Sequence, residues 1–286
     1  MIRIAVPATS ANLGIGFDCL GIALDIYNYF EFEERDKWEF SGFEPQYENM
    51  DNLFVKAYLK AMDRIGKKAK PLYVGIKQNI PISRGLGSSA AMSIAGICAA
   101  SMLNGASLSK MDAIKLGTEL EGHPDNAAPA LLGNLSICSG DMIINRKISD
   151  KYFFQLWIPE YELRTEEARK VVPLTFERKD VVGNIGSALV GIDGLINGND
   201  EQLIKLSEDN IHEPYRKKLI PDFETIKKYA LRKGALAFMI SGSGSTCISI
   251  HRYDFDTDDF PKTEVQWNTV KTRVSEKGAH ICPTSL

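Results

Sequence analysis

Apolar residues alternate at the start of the chain, at Ile2, Ile4 and Val6, and a β-rich run follows at 27–32. This pattern predicts strands on either side of a loop crowded with Gly and Asn. The period then changes. Leu53, Phe54, Ala57, Tyr58, Ala61, Met62 and Ile65 recur at helical spacing, with Asp51 at the expected N-cap and Gly66 just past the last turn. Residues 72–78 read as another strand. Residues 85–109 carry no charge at all. A membrane span needs about 20 predominantly apolar residues, and serines, glycines and Asn104 interrupt this stretch too often, so it reads as a buried helix behind a Gly-rich turn at 85–87. A second helix opens at Ser109, and strands are expected at 135–138 and 153–158. Beyond Pro159 helical patterns take over at 165–172, 180–197, 200–211 and 221–233. A strand at 236–241, a Gly/Ser turn and a strand at 246–250 follow. This change of texture places a boundary near 155–160 and predicts two units, 1–157 and 158–286. The acidic run 254–259 reads as a solvated loop.

Composition narrows the class. The 286 residues hold 34 Lys+Arg against 37 Asp+Glu, a net charge of −3, with 44% hydrophobic and 25% charged residues. That is an ordinary globular chain, long enough for two domains. A charge so near zero removes the broad basic field on which non-specific nucleic-acid binding depends, and no membrane association is expected. Cys19, Cys98, Cys138, Cys247 and Cys282 are odd in number and contain no C-x-x-C pair, which argues against a disulfide framework and a zinc site. The N-terminus lacks the apolar core of a signal peptide, so a cytoplasmic location is expected.

Four polar segments carry candidate chemistry. The run Pro81-Ile82-Ser83-Arg84-Gly85-Leu86-Gly87-Ser88-Ser89-Ala90-Ala91 lies between a predicted strand and the uncharged helix. Glycines there allow close approach of the backbone, and a helix N-terminus offers unpaired N–H groups and partial positive charge, so phosphate is the natural guest. The Gly-Lys-Ser/Thr ending of a Walker A loop is absent. Residues 7–21, rich in small side chains around Asn12 and Asp18, suit recognition of a small polar substrate. In Glu119-Leu120-Glu121-Gly122-His123-Pro124-Asp125-Asn126, Pro124 is expected to break a helix and leave two carboxylates and His123 where a metal or a nucleophilic hydroxyl can meet them. The glycines of Ser241-Gly242-Ser243-Gly244-Ser245-Thr246 suggest close backbone approach. Arg169 and Arg216 offer guanidinium groups suited to a carboxylate. Each segment also has a plain structural reading as a cap, a turn or a surface charge.

Taken together and in this order, P-A-T-S-A-N-L-G-I-G-F-D-C-L-G, G-L-G-S-S-A-A, E-G-H-P-D-N-A-A-P-A-L-L-G and S-G-S-G-S-T resemble the motifs of the GHMP small-molecule kinase family. Within it they are most similar to those of the homoserine kinases. Asn134 replaces a second glycine of the third motif, and Ser245 stands where a proline often precedes the threonine. The resemblance runs from Val6 to Ile250, and the last 36 residues add no motif.

The resemblance implies an α+β, two-domain fold. The N-terminal domain would hold a mixed sheet, the ATP loop and a left-handed β-α-β unit, and the C-terminal domain would be a ferredoxin-like sandwich, with the active site between them. It implies transfer of the γ-phosphoryl group of ATP to the hydroxyl of L-homoserine in threonine biosynthesis. Residues 81–91 would hold the triphosphate. Ser89 and Glu121 would bind Mg²⁺, with Glu119 in reserve. Asn12 and Asp18 would orient homoserine, Arg169 and Arg216 would take its carboxylate, and Thr165, Gly242 and Gly244 would lie beside it. His123 and Asp125 would support the phosphate or the nucleophile, and Asp125 is the candidate base. Two other readings stay open, a family member acting on another alcohol such as a mevalonate-type substrate, and a non-catalytic sensor on the same fold. No motif encodes oligomeric state, and a homodimer is compatible with the sequence.

Overall fold

The computed structural model describes residues 1–283. Two sheets organise it. In the first, β1 (Ile2–Ala11) and β2 (Leu20–Glu34) form a long antiparallel pair. Strand β3 (Glu39–Ser41) connects through helix α1 (Leu53–Ile65) to its parallel neighbour β4 (Leu72–Lys77), giving the expected β-α-β unit. Helices α2 (Ser88–Leu103), α3 (Lys110–Glu121) and α4 (Pro124–Leu132) follow, then the hairpin β5 (Leu135–Ser139) and β6 (Met142–Arg146), which attaches to β2.

Helix α2 is apolar on all sides because it is surrounded. It packs against α1, α3, α4 and the sheet, and twelve of its residues are buried. Helix α1 is capped by Asn52, whose side chain accepts from Phe54 N, rather than by Asp51, and it ends at Gly66 in the left-handed region. Asp51 lies one residue too early and is exposed. The core of this unit joins Phe30, Phe32 and Phe54 with the small residues of α2.

The second sheet is built from β7 (Phe153–Pro159), β8 (Ala237–Ile240), β9 (Cys247–His251) and β10 (Trp267–Thr272) in the order β10-β7-β9-β8, antiparallel throughout. Numbered within this unit the order is 4-1-3-2, as in a ferredoxin-like sandwich. Between β7 and β8 lie α5 (Thr165–Lys170), α6 (Arg178–Asn197), α7 (Asp200–Leu203), α8 (Glu213–Arg216) and α9 (Phe223–Arg232). The helix expected over 200–211 ends early. After α7 the chain tightens into a 3-10 turn over Ile204–Ser207 and then leaves helical geometry, because Asp209 spends its carboxylate on the amides that begin α8. Residues 252–266 contain no second crossover helix. The acidic run in this segment is exposed, yet Asp254 pairs with Lys271, and Asp256 and Asp259 pair with Lys233.

The expected division at 157/158 cuts through β7. All seven residues of that strand are buried and pair in the second sheet, so the sheets part before Phe153. The chain also returns, since β11 (His280–Ile281) adds to β1 at the edge of the first sheet.

Gly96 marks the tightest helix contact, because a Cβ there would overlap the Phe54 carbonyl of α1. Alanine is the better helix former by about 1 kcal/mol, yet Gly96→Ala is expected to lower stability by about 1–3 kcal/mol because overpacking outweighs propensity. Thermal or urea unfolding reads the sign, and a stabilised variant would contradict this packing.

Candidate active site

All four polar segments meet in one cleft of about 600 Å³ between the two sheets, a size suited to small-molecule ligands. At one end lies the 81–89 loop. Ser83, Gly85 and Gly87 adopt positive φ values of 54°, 70° and 68°, which turn the backbone inward. Gly87 is the N-cap of α2 and contributes no side-chain cap, so the first N–H groups of this long helix are left for an anion. Arg84 is a strut. It donates from Nε to Pro159 O at 3.0 Å and from Nη1 to Ile82 O at 3.3 Å. The Gly/Ser turn after β8 braces the same loop, with Ser241 Oγ donating to Gly85 O at 2.7 Å. Ala90, Ala91 and Gly244 do not line the cleft. Both alanines are buried along α2, and Gly244 packs near Ile220, Ile240 and Leu163.

At the end of α3 the two expected carboxylates separate. Glu121 lines the cleft and accepts from Ser89 Oγ at 2.7 Å and from Ser93 Oγ at 3.1 Å. Glu119 turns away to Lys60 at 2.8 Å and Arg64 at 3.0 Å, and these hydrogen bonds hold its carboxyl below the ordinary value. This removes Glu119 as a reserve metal ligand. An oxygen-only pair from Ser89 and Glu121 suits a hard divalent cation such as Mg²⁺.

Pro124 starts a helix rather than merely ending one. With φ fixed and no N–H to satisfy, it occupies the first turn of α4, with His123 as N-cap and Asp125 in the first turn. Asp125 is 1% exposed, with one carboxylate oxygen against His123 Nδ1 and the other, Oδ2, lacking any hydrogen-bond partner. Burial depresses the His123 pKa, but the hydrogen bond and charge of Asp125 outweigh it and the net direction is upward. One ligand atom each from Asp18, His123 and Asp125 lies within 4.8 Å of the others. Asp125 lies at the wall of the cleft with its Oδ2 buried and without a partner.

Opposite stands the loop after β1. Asn12 and Asp18 hold positive φ values of 70° and 57°, uncommon for residues other than Gly and concentrated here at the site. Asn12 Nδ2 donates to Gly242 O at 2.7 Å, and its Oδ1 accepts from Asp18 N at 3.0 Å. Its amide therefore ties the two domains and shapes the loop, a more structural task than the expected orientation of substrate. Asp18 and Arg169 form a bidentate ion pair at 2.7 and 3.1 Å. Thr165 Oγ1 lies 3.2 Å from Ser243 Oγ at the rim.

Arg216 is 1% exposed, donates to Ala168 O at 3.0 Å and Gly242 O at 3.2 Å, and has no carboxylate bonded to it. Burial and then the charge of Arg169 bring its pKa down to about 10, still fully charged at neutral pH. Phe17 sits between the two arginines, with guanidinium carbons 5.7 and 4.9 Å from its ring centre.

Several residues of this environment went unassigned from sequence. His212 stacks on Phe17 at 5.1 Å and lies 2.8 Å from Gly14 O through Nε2. That leaves Nδ1 as an acceptor 3.5 Å from Arg216 Nη1, and burial lowers its pKa, so the ring is neutral. Asp209 caps α8 through the N–H groups of His212 and Glu213 at 2.8 and 2.6 Å. Asp-x-x-His-Glu-Pro is a helix-start pattern that sequence reading can find. Thr9 and Asn126, linked at 2.7 Å, and Ser93 carry no comparable local signal.

A cleft that joins a Gly-rich helix start, a hydroxyl–carboxylate pair and paired arginines across two such domains defines a small-molecule kinase. Residues 52–134 match the family described as GHMP kinases N terminal domain, and residues 192–278 match GHMP kinases C terminal. The chain belongs to the GHMP kinase family and is an ATP-dependent phosphotransferase. Homoserine kinases are among its relatives in that family. It is 41% identical over 268 residues to the homoserine kinase of Clostridium botulinum (strain Okra / Type B1), covering 92% of this chain and 89% of that one. It is 38% identical to the homoserine kinase of Clostridium beijerinckii, covering 98% of each. The crystal structure of homoserine kinase from Cytophaga hutchinsonii superposes with a TM-score of 0.87 at 25% identity, covering 98% of this chain and 97% of that one. No helix among the described residues is long and apolar enough to cross a membrane.

Glu213 offers a test of the buried network behind the arginines. Burial pushes its carboxyl up to about 7, despite Lys227 3.4 Å away and the Ile240 N–H, with Asp209 adding to the rise. The folded state therefore keeps a proton that the unfolded chain releases, so this group's stabilisation is fully present below the ordinary carboxylate value and is lost as pH rises to about 7. The stability difference between pH 5 and pH 8 should shrink by about 1–3 kcal/mol in Glu213→Gln. Chemical denaturation of both proteins at the two pH values measures it, and an unchanged difference would refute the assignment.

Proposed function

We propose that the chain transfers the γ-phosphoryl group of ATP to the side-chain hydroxyl of L-homoserine, giving O-phospho-L-homoserine, in the cytoplasm. The observation that carries this reading is the pair Arg169 and Arg216, spaced by Phe17, with Arg216 buried and bonded to no carboxylate. An acceptor with its own carboxylate supplies the missing partner, which a simple alcohol cannot. The Asp18 carboxylate beside Arg169 then faces the substrate's ammonium group or hydroxyl.

Phosphoryl transfer depends on position and charge neutralisation more than on covalent help. The N–H groups at the start of α2 cradle the triphosphate, and Ser89 and Glu121 hold Mg²⁺, which neutralises phosphate charge when bound. Asp125 presents its unpartnered Oδ2 as acceptor for the hydroxyl proton, oriented by its contact with His123. In a loose transition state the proton leaves late, so Asp125 positions the hydroxyl first and receives the proton afterwards.

Coupled ATPase assays across a panel of small alcohols, with titration calorimetry of L-homoserine, test the reading. Turnover confined to alcohols other than L-homoserine, mevalonate and other hydroxy acids included, would refute it. Arg169→Glu should raise the KM for homoserine by about 100-fold or more and leave the KM for ATP little changed, with the opposite split excluding the clamp. Asp125→Asn should lower kcat by about 10²–10⁴ if the carboxylate takes the proton, and near-full kcat would exclude that role. Ser89→Ala with Glu121→Gln should shift the Mg²⁺ dependence of turnover to higher concentration, and an unchanged curve would place the ion elsewhere.

A further inference from the structure

Two of the five cysteines oppose each other beside the active site. Strands β2 and β5 pair antiparallel, with Leu20 opposite Ile137 and Gly21 opposite Ser136. One step back along the same register Cys19 stands opposite Cys138, and the Cys138 N–H donates to Cys19 O at 2.8 Å. Residues opposed in a hydrogen-bonded antiparallel pair have Cα atoms about 5.5 Å apart and side chains on one face of the sheet. A disulfide spans roughly 4.4–6.8 Å between Cα atoms, so this pairing sets the two residues at bridging distance.

Gly21 and Ser136 share that face two residues further on, and a Cβ on Gly21 would overlap the Asp125 carbonyl at the start of α4. The pair therefore lies against the turn that carries Asp125, and Cys19 directly follows Asp18 in the chain. Cys19 is exposed and Cys138 is buried, so one thiol is open to a reagent and the other stands behind it. Burial, with the charges of Asp18 and Asp125 adding to it, raises the Cys19 pKa, and burial, Asp125 and Cys19 push Cys138 up to about 12. Both groups are thus protonated at neutral pH, which makes the reduced pair the resting form and its oxidation slow. The other cysteines are placed differently. Cys98 is buried within α2, Cys247 stands between Trp157 and Ile240 in the second sheet, and Cys282 donates its N–H to Arg3 O at the edge of the first.

We propose that Cys19 and Cys138 are a covalent modification site at the wall of the active site, a thiol pair that a low-molecular-weight disulfide oxidises to a cross-strand disulfide. The Cys19 thiolate attacks one sulfur of the reagent and expels one equivalent of small thiol, leaving a mixed disulfide. The Cys138 thiolate then attacks the Cys19 sulfur, closes the protein bond and expels the second equivalent. Two electrons pass from the protein to the reagent, and the two thiol protons end on the released thiols. Closing the bond draws the two sulfurs together beside Asp125 and Asp18 and displaces the backbone that carries both carboxylates, so turnover falls. That consequence rests on the reaction proposed above, whereas the bond itself does not.

The test treats the full chain, without substrates, with 2-hydroxyethyl disulfide, an uncharged reagent that Asp18 and Asp125 do not repel. The wild type should lose two of its five thiols and about 2 Da of mass with no adduct retained, and a proteolytic digest should contain one cross-linked species joining Cys19 to Cys138. The rate should rise about tenfold per pH unit from about pH 7 to about pH 9, following the thiolate fraction. Cys138→Ala should stop at the mixed disulfide and keep the adduct, and Cys19→Ala should leave Cys138 unreacted. After treatment the kcat of the wild type should be lower by about tenfold or more and recover with dithiothreitol, while Cys19→Ala keeps its turnover. Retention of all five thiols under excess reagent, or a cross-link through Cys98, Cys247 or Cys282, would overturn the pair. A bridged protein with full turnover would overturn its influence on the site. Because thiols and mass are read without substrate, they test the bond whether or not homoserine is the acceptor.

Discussion

A guanidinium buried beside another guanidinium is the constraint around which the active site is arranged. Arg216 has left water almost completely, and its bonded neighbours are two main-chain carbonyls and a neutral imidazole. Burying a charge without a bonded counter-charge costs several kcal/mol, so the surroundings must hold it in place by other means. Asp209 caps the short helix that presents it, and Phe17 offers the negative face of its ring. The adjacent Arg169 is neutralised by Asp18 rather than left to repel it. Remove any of these and the charge has reason to swing toward solvent. Asp18, Asp125 and Asp209 counter the charge through space without a direct bond to it, which leaves its N–H groups held by main-chain carbonyls and His212 alone.

The two domains are mutually dependent for the same reason. Asn12 of the first reaches Gly242 of the second, and Arg216 donates to that same carbonyl. Ser241 ties Gly85 in the phosphate loop to Ser10 at the end of β1. The 81–89 loop and Arg216 are therefore fastened to a single Gly/Ser turn, and a displacement of that turn moves both. A Cβ on Gly85 would run into the main chain of this turn, which explains why the loop has no tolerance there beyond the need for positive φ.

What sequence reveals here is whatever is local. Periodicity identified α1, α2, α3, α6 and most strands because each has one continuous burial environment, and the Gly-rich helix start is legible because its chemistry lies within a few consecutive residues. The division at 157/158 misled because β7 is buried on both faces and so reads as part of the apolar first half. Glu119 and Glu121 are indistinguishable in sequence, and only the αL turn at Gly122 and the basic residues of α1 separate their fates. Asn12 looked like a ligand because a polar residue in a small-residue loop often is one, whereas its partners lie 230 residues away at Gly242 and six away at Asp18. Partners at that separation leave no periodic trace.

The near-zero net charge of the chain also gains a physical reading. Among the described residues no lysine lines the end of the cleft formed by the 81–89 loop, and Arg84, the one arginine in that loop, is turned onto main-chain carbonyls and Glu162. Attraction there rests on oriented N–H groups and the start of α2, which act over a few ångströms and leave no long-range field. At the acceptor end the cations are countered by Asp18, Asp125 and Asp209 close by. Strong local recognition at both ends is thus built with almost no net charge, since dipoles and paired ions concentrate their effect where water is excluded. A cleft of this kind offers oriented donors at short range, in place of the extended basic surface on which polyanion binding depends.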